Sequence, residues 1–214
     1  MVVLVSGRGS NLQAMIDAQE RGEISGEIRA VISDRSDAYA LTRAREAGIA
    51  AEALEPGRFT DRASYDRELL ARVEVYRPEL IAMAGFMRVL SPELIAWFQG
   101  RMLNIHPSLL PAFRGLNTHR RALAAGVAQH GCSVHFVTNE LDAGPVVAQA
   151  RVRVAPDDDE ETLAARVLRR EHVIYPQTVR WFCEGRLMFA NGAAWLDSSP
   201  LARPVMLTEC QCEI

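Results

Sequence analysis

Long apolar runs are absent from this 214-residue chain. Charged residues interrupt every hydrophobic stretch well before the roughly 18 residues that a membrane-spanning helix needs, so no such helix is expected. Cysteine is scarce. The four, Cys132, Cys183, Cys210 and Cys212, are scattered except for the Cys-Gln-Cys near the end. That spacing argues against a secreted disulfide framework and for reduced thiols in the cytoplasm. Cys210 and Cys212 have no histidine nearby, so a frayed tail is expected there rather than a metal site. No long run of one charge sign occurs, the net charge is -3 and the pI is about 6.0, which excludes a polybasic nucleic-acid surface. The opening MVVLVSG is short and lacks the basic flank of a secretory signal. There is no internal repeat and no low-complexity segment.

Several catalytic signatures are missing too. SGRGSN, Ser6 to Asn11, lacks the third glycine of a dinucleotide fingerprint and the Gly-Lys-Ser/Thr of a P-loop, which disfavours NAD and nucleoside triphosphates. No serine sits in a Gly-x-Ser-x-Gly elbow, so an acyl-serine mechanism is not supported. No histidine pair shows the spacing of a metal-binding helix, and no cysteine pair has a second half, so no metal is expected.

What is present is 49% hydrophobic and 24% charged, enough for one sizeable core. The first half reads as strand and helix in alternation. Strands fall near Val2–Ser6, a continuous apolar run suited to burial on both faces, and near Glu27–Asp34, Ile49–Leu54 and Glu79–Gly85. Helices lie between them, one closed by Gly48, another stopped before Pro78. Ser91 caps a further helix with Pro92 at its first position. A fifth short strand, RMLNIH, follows. This order argues for an α/β fold, a mostly parallel open sheet with flanking helices. The pattern then changes. CSVHFVT and GPVVAQARVRV alternate apolar and polar residues around NELDAG, which reads as an antiparallel C-terminal portion. DDDEE, Asp157 to Glu161, reads as a helix N-terminus, and Pro176 should kink the long helix that follows. LMFANGAAWL reads as a hairpin around Asn191-Gly192, and residues after about 198 as loosely held.

Four segments carry chemistry. In SGRGSN, glycines let a backbone approach a ligand and the next helix offers free N–H groups to an anion, so a small phosphate monoester fits. A tight turn capped by Ser10 or Asn11 is the equal alternative. AGFMRVLSP, Ala84 to Pro92, follows the fourth strand, at the end where open α/β sheets bind ligands; by itself it is a loop over the core. In NIHPSLLP, Asn104 and His106 are two apart on a strand and face the same way. They offer an amide donor and an imidazole to a developing oxyanion. In ELDAGPV, Asp142 is either a turn aspartate or a carboxylate that reaches His106, orienting it and raising its pKa. His130 and His135 read as core or rim residues, and His119 as the first turn of a helix.

Together these segments, with EHVIYP and NGAAWLD, resemble the phosphoribosylglycinamide formyltransferases of the folate-dependent formyltransferase family. The likeness runs over nearly the whole chain and ends around Asp197. It implies a Rossmann-like single formyltransferase domain over residues 1–197 with a loosely ordered tail over 198–214. It implies formyl transfer from 10-formyltetrahydrofolate, as co-substrate and without metal, to glycinamide ribonucleotide in de novo purine synthesis. The alternative on the same module is a formyltetrahydrofolate hydrolase or another formyltransferase. Residue by residue, Asn104, His106 and Asp142 match the catalytic trio. Gly9, Ser10 and Asn11 match the substrate-phosphate turn, and Glu171 matches a residue holding the ribonucleotide. Arg62, Met87, Arg88, Val89 and Leu90 match the folate surface, with Asn104 alongside. Partners are then small molecules only, with no nucleic acid and no membrane, for a cytoplasmic monomer or homodimer. The chain departs from the family at FRGLNTH, at Leu168 and in its last residues.

Overall fold

The computed structural model describes residues 1–207, and the chain divides into two compact units, Met1–Asn104 and Ile105–Ile214. In the first, strands β1 (Val2–Val5), β2 (Ala30–Ser33), β3 (Ala50–Ala53), β4 (Ile81–Met83) and β5 (Met102–His106) alternate with helices α1 (Ser10–Glu20), α2 (Tyr39–Glu46), α3 (Arg62–Val75) and α4 (Pro92–Trp97). β5 carries two residues into the second unit. The strands run parallel in the order β3-β2-β1-β4-β5, with Val2 of β1 beside Ala30 and Ile81. Every residue of β1, β2 and β4 is buried, whereas β3, at the edge, is not. The continuous apolar runs therefore mark strands covered on both faces.

The chain leaves β1 toward β2 and β3, then returns to place β4 on the other side of β1. This reversal is a topological switch point, and ligands bind at the carboxyl ends of such strands. The two connections there are Ser6–Gly9 and Ala84–Leu90. Helix starts follow local rules. Asp61 and Ser64 form a capping box on α3, and the Ser91 hydroxyl accepts from the Leu94 N–H ahead of α4. Gly9 is left-handed (φ 70°), and a Cβ there would lie 2.5 Å from Ala40 Cβ, so only glycine lets this turn lie against α2.

The second unit holds α5 (Thr118–Ala124), β6 (Gln129–Phe136), β7 (Val146–Arg153), the long α6 (Glu160–Cys183), β8 (Leu187–Ala190), β9 (Ala193–Leu196), β10 (Ser199–Pro200) and β11 (Val205–Met206). β6 and β7 are antiparallel, as their alternation indicates, with a register shift between Val134 and His135. α6 starts at an Asp159–Thr162 capping box, packs on β6 and β7, and continues through Pro176. β8 and β9 form the expected hairpin, with Asn191 and Gly192 both left-handed.

One expectation changes. Residues 199–206, read as a loose tail, contain strands: β10 pairs with β9, and β11 pairs in parallel with β7, where the Leu207 N–H donates to the Gln149 carbonyl. β7 has a side open to β11, and short pairings of this kind leave little pattern in sequence. The Cys210/Cys212 reading lies outside the described residues. Among the described residues, Cys132 and Cys183 are in no disulfide.

Candidate active site

The first turn of α1 contains no acidic residue, and no side chain caps it; Gly9, rather than Ser10 or Asn11, holds the N-cap position. The helix therefore presents its first N–H groups and the positive end of its dipole next to Ser10 and the buried Asn11, without a competing carboxylate. Such a start suits an anion.

The second connection of the switch point is held at successive residues. The Ser6 N–H donates to the Gly85 carbonyl (3.1 Å), and the Ser6 hydroxyl accepts from the Met87 N–H (2.8 Å). The Arg88 guanidinium sits 4.6 Å above the Tyr65 ring. Arg62 Nη2 donates to the carbonyls of Val89 (2.6 Å) and Leu90 (3.1 Å). Met87 and Val89 are exposed apolar side chains, while Leu90 is buried. The result is an apolar ledge on a fixed backbone, suited to a flat heterocycle.

His106 ends β5, and Asn104 stands two residues earlier, beside Met83 of β4. The buried His106 ring has its Nδ1 3.4 Å from Asp142 Oδ2 and its Nε2 3.0 Å from the Phe113 carbonyl oxygen. Asp142 sits in the left-handed region (φ 48°). It accepts the Gly115 N–H at 2.8 Å and faces His135 Nε2 at 3.7 Å. The approach of Asp142 to His106, one of two readings in the sequence, is thus made. Gly144 is part of the reason. A Cβ there would lie 1.9 Å from the Phe136 carbonyl oxygen, so only glycine lets the turn carrying Asp142 return this tightly to β6.

Charge in this pair differs from the sequence expectation. Burial lowers the His106 pKa; the Phe113 carbonyl and Asp142 raise it but do not offset that loss, so the resting imidazole is mainly neutral at pH 7. Burial works the other way on Asp142. The His135 ring, the Gly115 N–H and His106 outweigh it and hold the carboxyl at about 2. His135, read from sequence as core or rim, faces Asp142 because the register shift after Val134 falls next to it. No sequence signal distinguished it. Glu171 is buried on α6, and its charge, after burial itself, helps to raise the Cys132 thiol pKa.

A parallel α/β sheet with an anion-ready helix start and an apolar loop at its switch point, and a strand end bearing an amide and a carboxylate-paired imidazole, define an enzyme of carbonyl-group transfer. The chain belongs to the formyl transferase family, whose model matches residues 1–179. It is 53% identical over 201 residues to a phosphoribosylglycinamide formyltransferase of Escherichia coli strain K12, covering 94% of this chain and 95% of that one. The solved phosphoribosylglycinamide formyltransferase of Coxiella burnetii superimposes with a TM-score of 0.93 at 49% identity, covering 97% of this chain and 98% of that one. A formyltetrahydrofolate deformylase of Pseudomonas syringae shares the fold (TM-score 0.83) at 26% identity, covering 91% of this chain and 65% of that one.

Proposed function

We propose that this protein transfers the formyl group of 10-formyltetrahydrofolate to the amine of glycinamide ribonucleotide, giving formylglycinamide ribonucleotide and tetrahydrofolate in de novo purine synthesis. The observation that carries the reading is the buried His106–Asp142 pair, on a chain whose relatives of high identity are formyltransferases of this kind. Gly9, Ser10 and Asn11 take the ribonucleotide phosphate, and Glu171 holds the same substrate. The loop Met87–Leu90 takes the folate, with Arg62 and Asn104 alongside. The deformylase reading, transfer to water, rests on a relative of lower identity.

The substrate amine is the nucleophile. The chain has 24 arginines and no lysine, so no lysine amine competes for the formyl group. The amine nitrogen bonds to the formyl carbon, and the carbonyl oxygen becomes an oxyanion that the Asn104 amide stabilises. His106, neutral at rest, accepts the amine proton as that charge develops. Its imidazolium then appears beside both the oxyanion and the ionised Asp142. The carbon–N10 bond breaks as the proton passes to N10. His106 Nε2 must first leave the Phe113 carbonyl, so the loop carrying Phe113 shifts when substrate enters.

His106→Ala and Asp142→Asn should each lower kcat/KM by roughly a hundred- to ten-thousand-fold with the fold retained. The check is tetrahydrofolate release with glycinamide ribonucleotide or water as acceptor. Near-normal turnover in either variant overturns the assigned roles. Equal rates with and without the ribonucleotide would favour hydrolysis.

A further inference from the structure

We infer that α2 sets the shape of the turn that takes the substrate phosphate, with Arg43 as a positioning residue that binds the turn and not the substrate. The inference deepens the proposed function and rests on it only for the identity of the substrate.

Successive carbonyls of this turn are each held by a different donor. The Ala40 N–H, at the start of α2, donates to the Gly7 carbonyl (3.1 Å). Arg43 Nε, three residues further along α2, donates to the Arg8 carbonyl (2.9 Å). The Gln13 N–H donates to the Gly9 carbonyl (2.9 Å) as α1 begins. The peptides joining residues 7 to 10 are trans and planar, so each carbonyl points opposite to the N–H of the next residue. Fixing the carbonyls therefore fixes the directions of the Arg8, Gly9 and Ser10 N–H groups, which make no hydrogen bond among the described residues. Successive N–H groups left open in this way form a nest for an anion.

Arg43 is the member of this set that local structure does not supply. The Arg8 carbonyl lies ahead of the helix N-cap, and its donor comes from 35 residues away. Two further contacts fix the guanidinium: Nη1 donates to Gln13 Oε1 at 2.9 Å, and the group lies 4.8 Å from the centre of the Tyr39 ring. Two of its nitrogens are thus committed to two different protein acceptors, one on the turn and one on α1. The close approach of Gly9 to Ala40 keeps α2 within reach of both. The competing role is a direct bond from Arg43 to the phosphate.

Arg43→Ala should raise KM for glycinamide ribonucleotide roughly tenfold, because the turn loses a hydrogen bond from a charged donor. KM for 10-formyltetrahydrofolate should stay put, and glycinamide riboside, which lacks the phosphate, should carry no matching penalty. Gln13→Ala removes the second acceptor of the guanidinium and should give a smaller loss of the same pattern. Equal penalties on ribonucleotide and riboside overturn the inference, because the variant has then damaged more than the phosphate turn. A Gln13→Ala chain with the wild-type KM for the ribonucleotide, or a lower one, overturns it as well and assigns Arg43 to the phosphate directly. A second readout needs no turnover. By isothermal titration calorimetry, ribose 5-phosphate should bind the free protein roughly tenfold more weakly in Arg43→Ala. Unchanged affinity, or no binding to the wild-type chain, overturns the inference. A wild-type chain that binds ribose 5-phosphate through Arg43 yet formylates no ribonucleotide overturns the proposed function alone.

Discussion

His106 sits between two oxygens, the Phe113 carbonyl and Asp142 Oδ2. A neutral imidazole has one N–H and can satisfy only one of them; an imidazolium satisfies both. Burial nevertheless favours the neutral ring at rest. This conflict holds the charged form close at hand, which suits the proposed role as proton acceptor. Phe113 supplies its carbonyl from a left-handed backbone (φ 55°), a strained conformation for a bulky residue and one common at functional sites. Tyr65 shows the reverse economy. Its hydroxyl is buried without a hydrogen-bond partner among the described residues, as is Asp34 Oδ1. Such a group is destabilising. Tyr65→Phe keeps the ring under Arg88 and removes the oxygen, so urea unfolding should show a gain of about 1 kcal/mol. A loss of that size would mean that the hydroxyl makes a bond.

At the scale of elements, two kinds of contact position the chemistry. Helix starts act on the loops beside them: α1 leaves its first N–H groups uncapped by any side chain, and α3 holds the loop between β4 and α4 through Arg62 and Tyr65. The β6–β7 connection acts through close backbone approach. A methyl group at Gly144 would stand 1.9 Å from the Phe136 oxygen, far inside contact distance, so the turn would have to part from β6. Gly144→Ala should therefore cost about 3 kcal/mol of stability, read by thermal or urea unfolding. It should also lower turnover, because Asp142 is two residues away. A variant with wild-type stability would show that the turn does not depend on this approach.

For the whole molecule, the sensitive quantity is acid stability. His130 is held at about 4 by burial first, then by the charges of His119 and His106. Its ring meets His119 edge-on, with Nε2 3.2 Å from His119 Nδ1. Because the folded pKa lies below the unfolded value of about 6.5, the unfolded chain binds the proton first. The stability this neutral ring preserves is complete above about pH 6.5 and is lost as pH falls toward 4, a total of about 3 kcal/mol. The urea midpoint should fall through that window, and His130→Gln should flatten the fall. A midpoint independent of pH between 6.5 and 4 would contradict it. Asp142, with its carboxyl at about 2, extends the loss from about pH 4 downward.

Much of this was legible from residues alone, for a physical reason. Strand runs, the Ser91 cap, Pro92 at a helix start and the Asn191-Gly192 turn obey interactions within about four positions along the chain, so local sequence determines them. The order of strand and helix then limits the topology, and with it the loops that lie at the switch point. The sequence also set Asn104 and His106 on one face of β5. The tertiary structure alone decided what those residues meet. Asp142 reaches His106, His135 joins them, Arg62 takes the Val89 and Leu90 carbonyls, and β11 pairs with β7. Except for His135 and Asp142, seven residues apart, these partners are separated by about two dozen residues or more, and strand register and close glycine approaches bring them together. Burial belongs to the same class. It set the His106 imidazole neutral against a carboxylate that, by sequence, should have kept it charged.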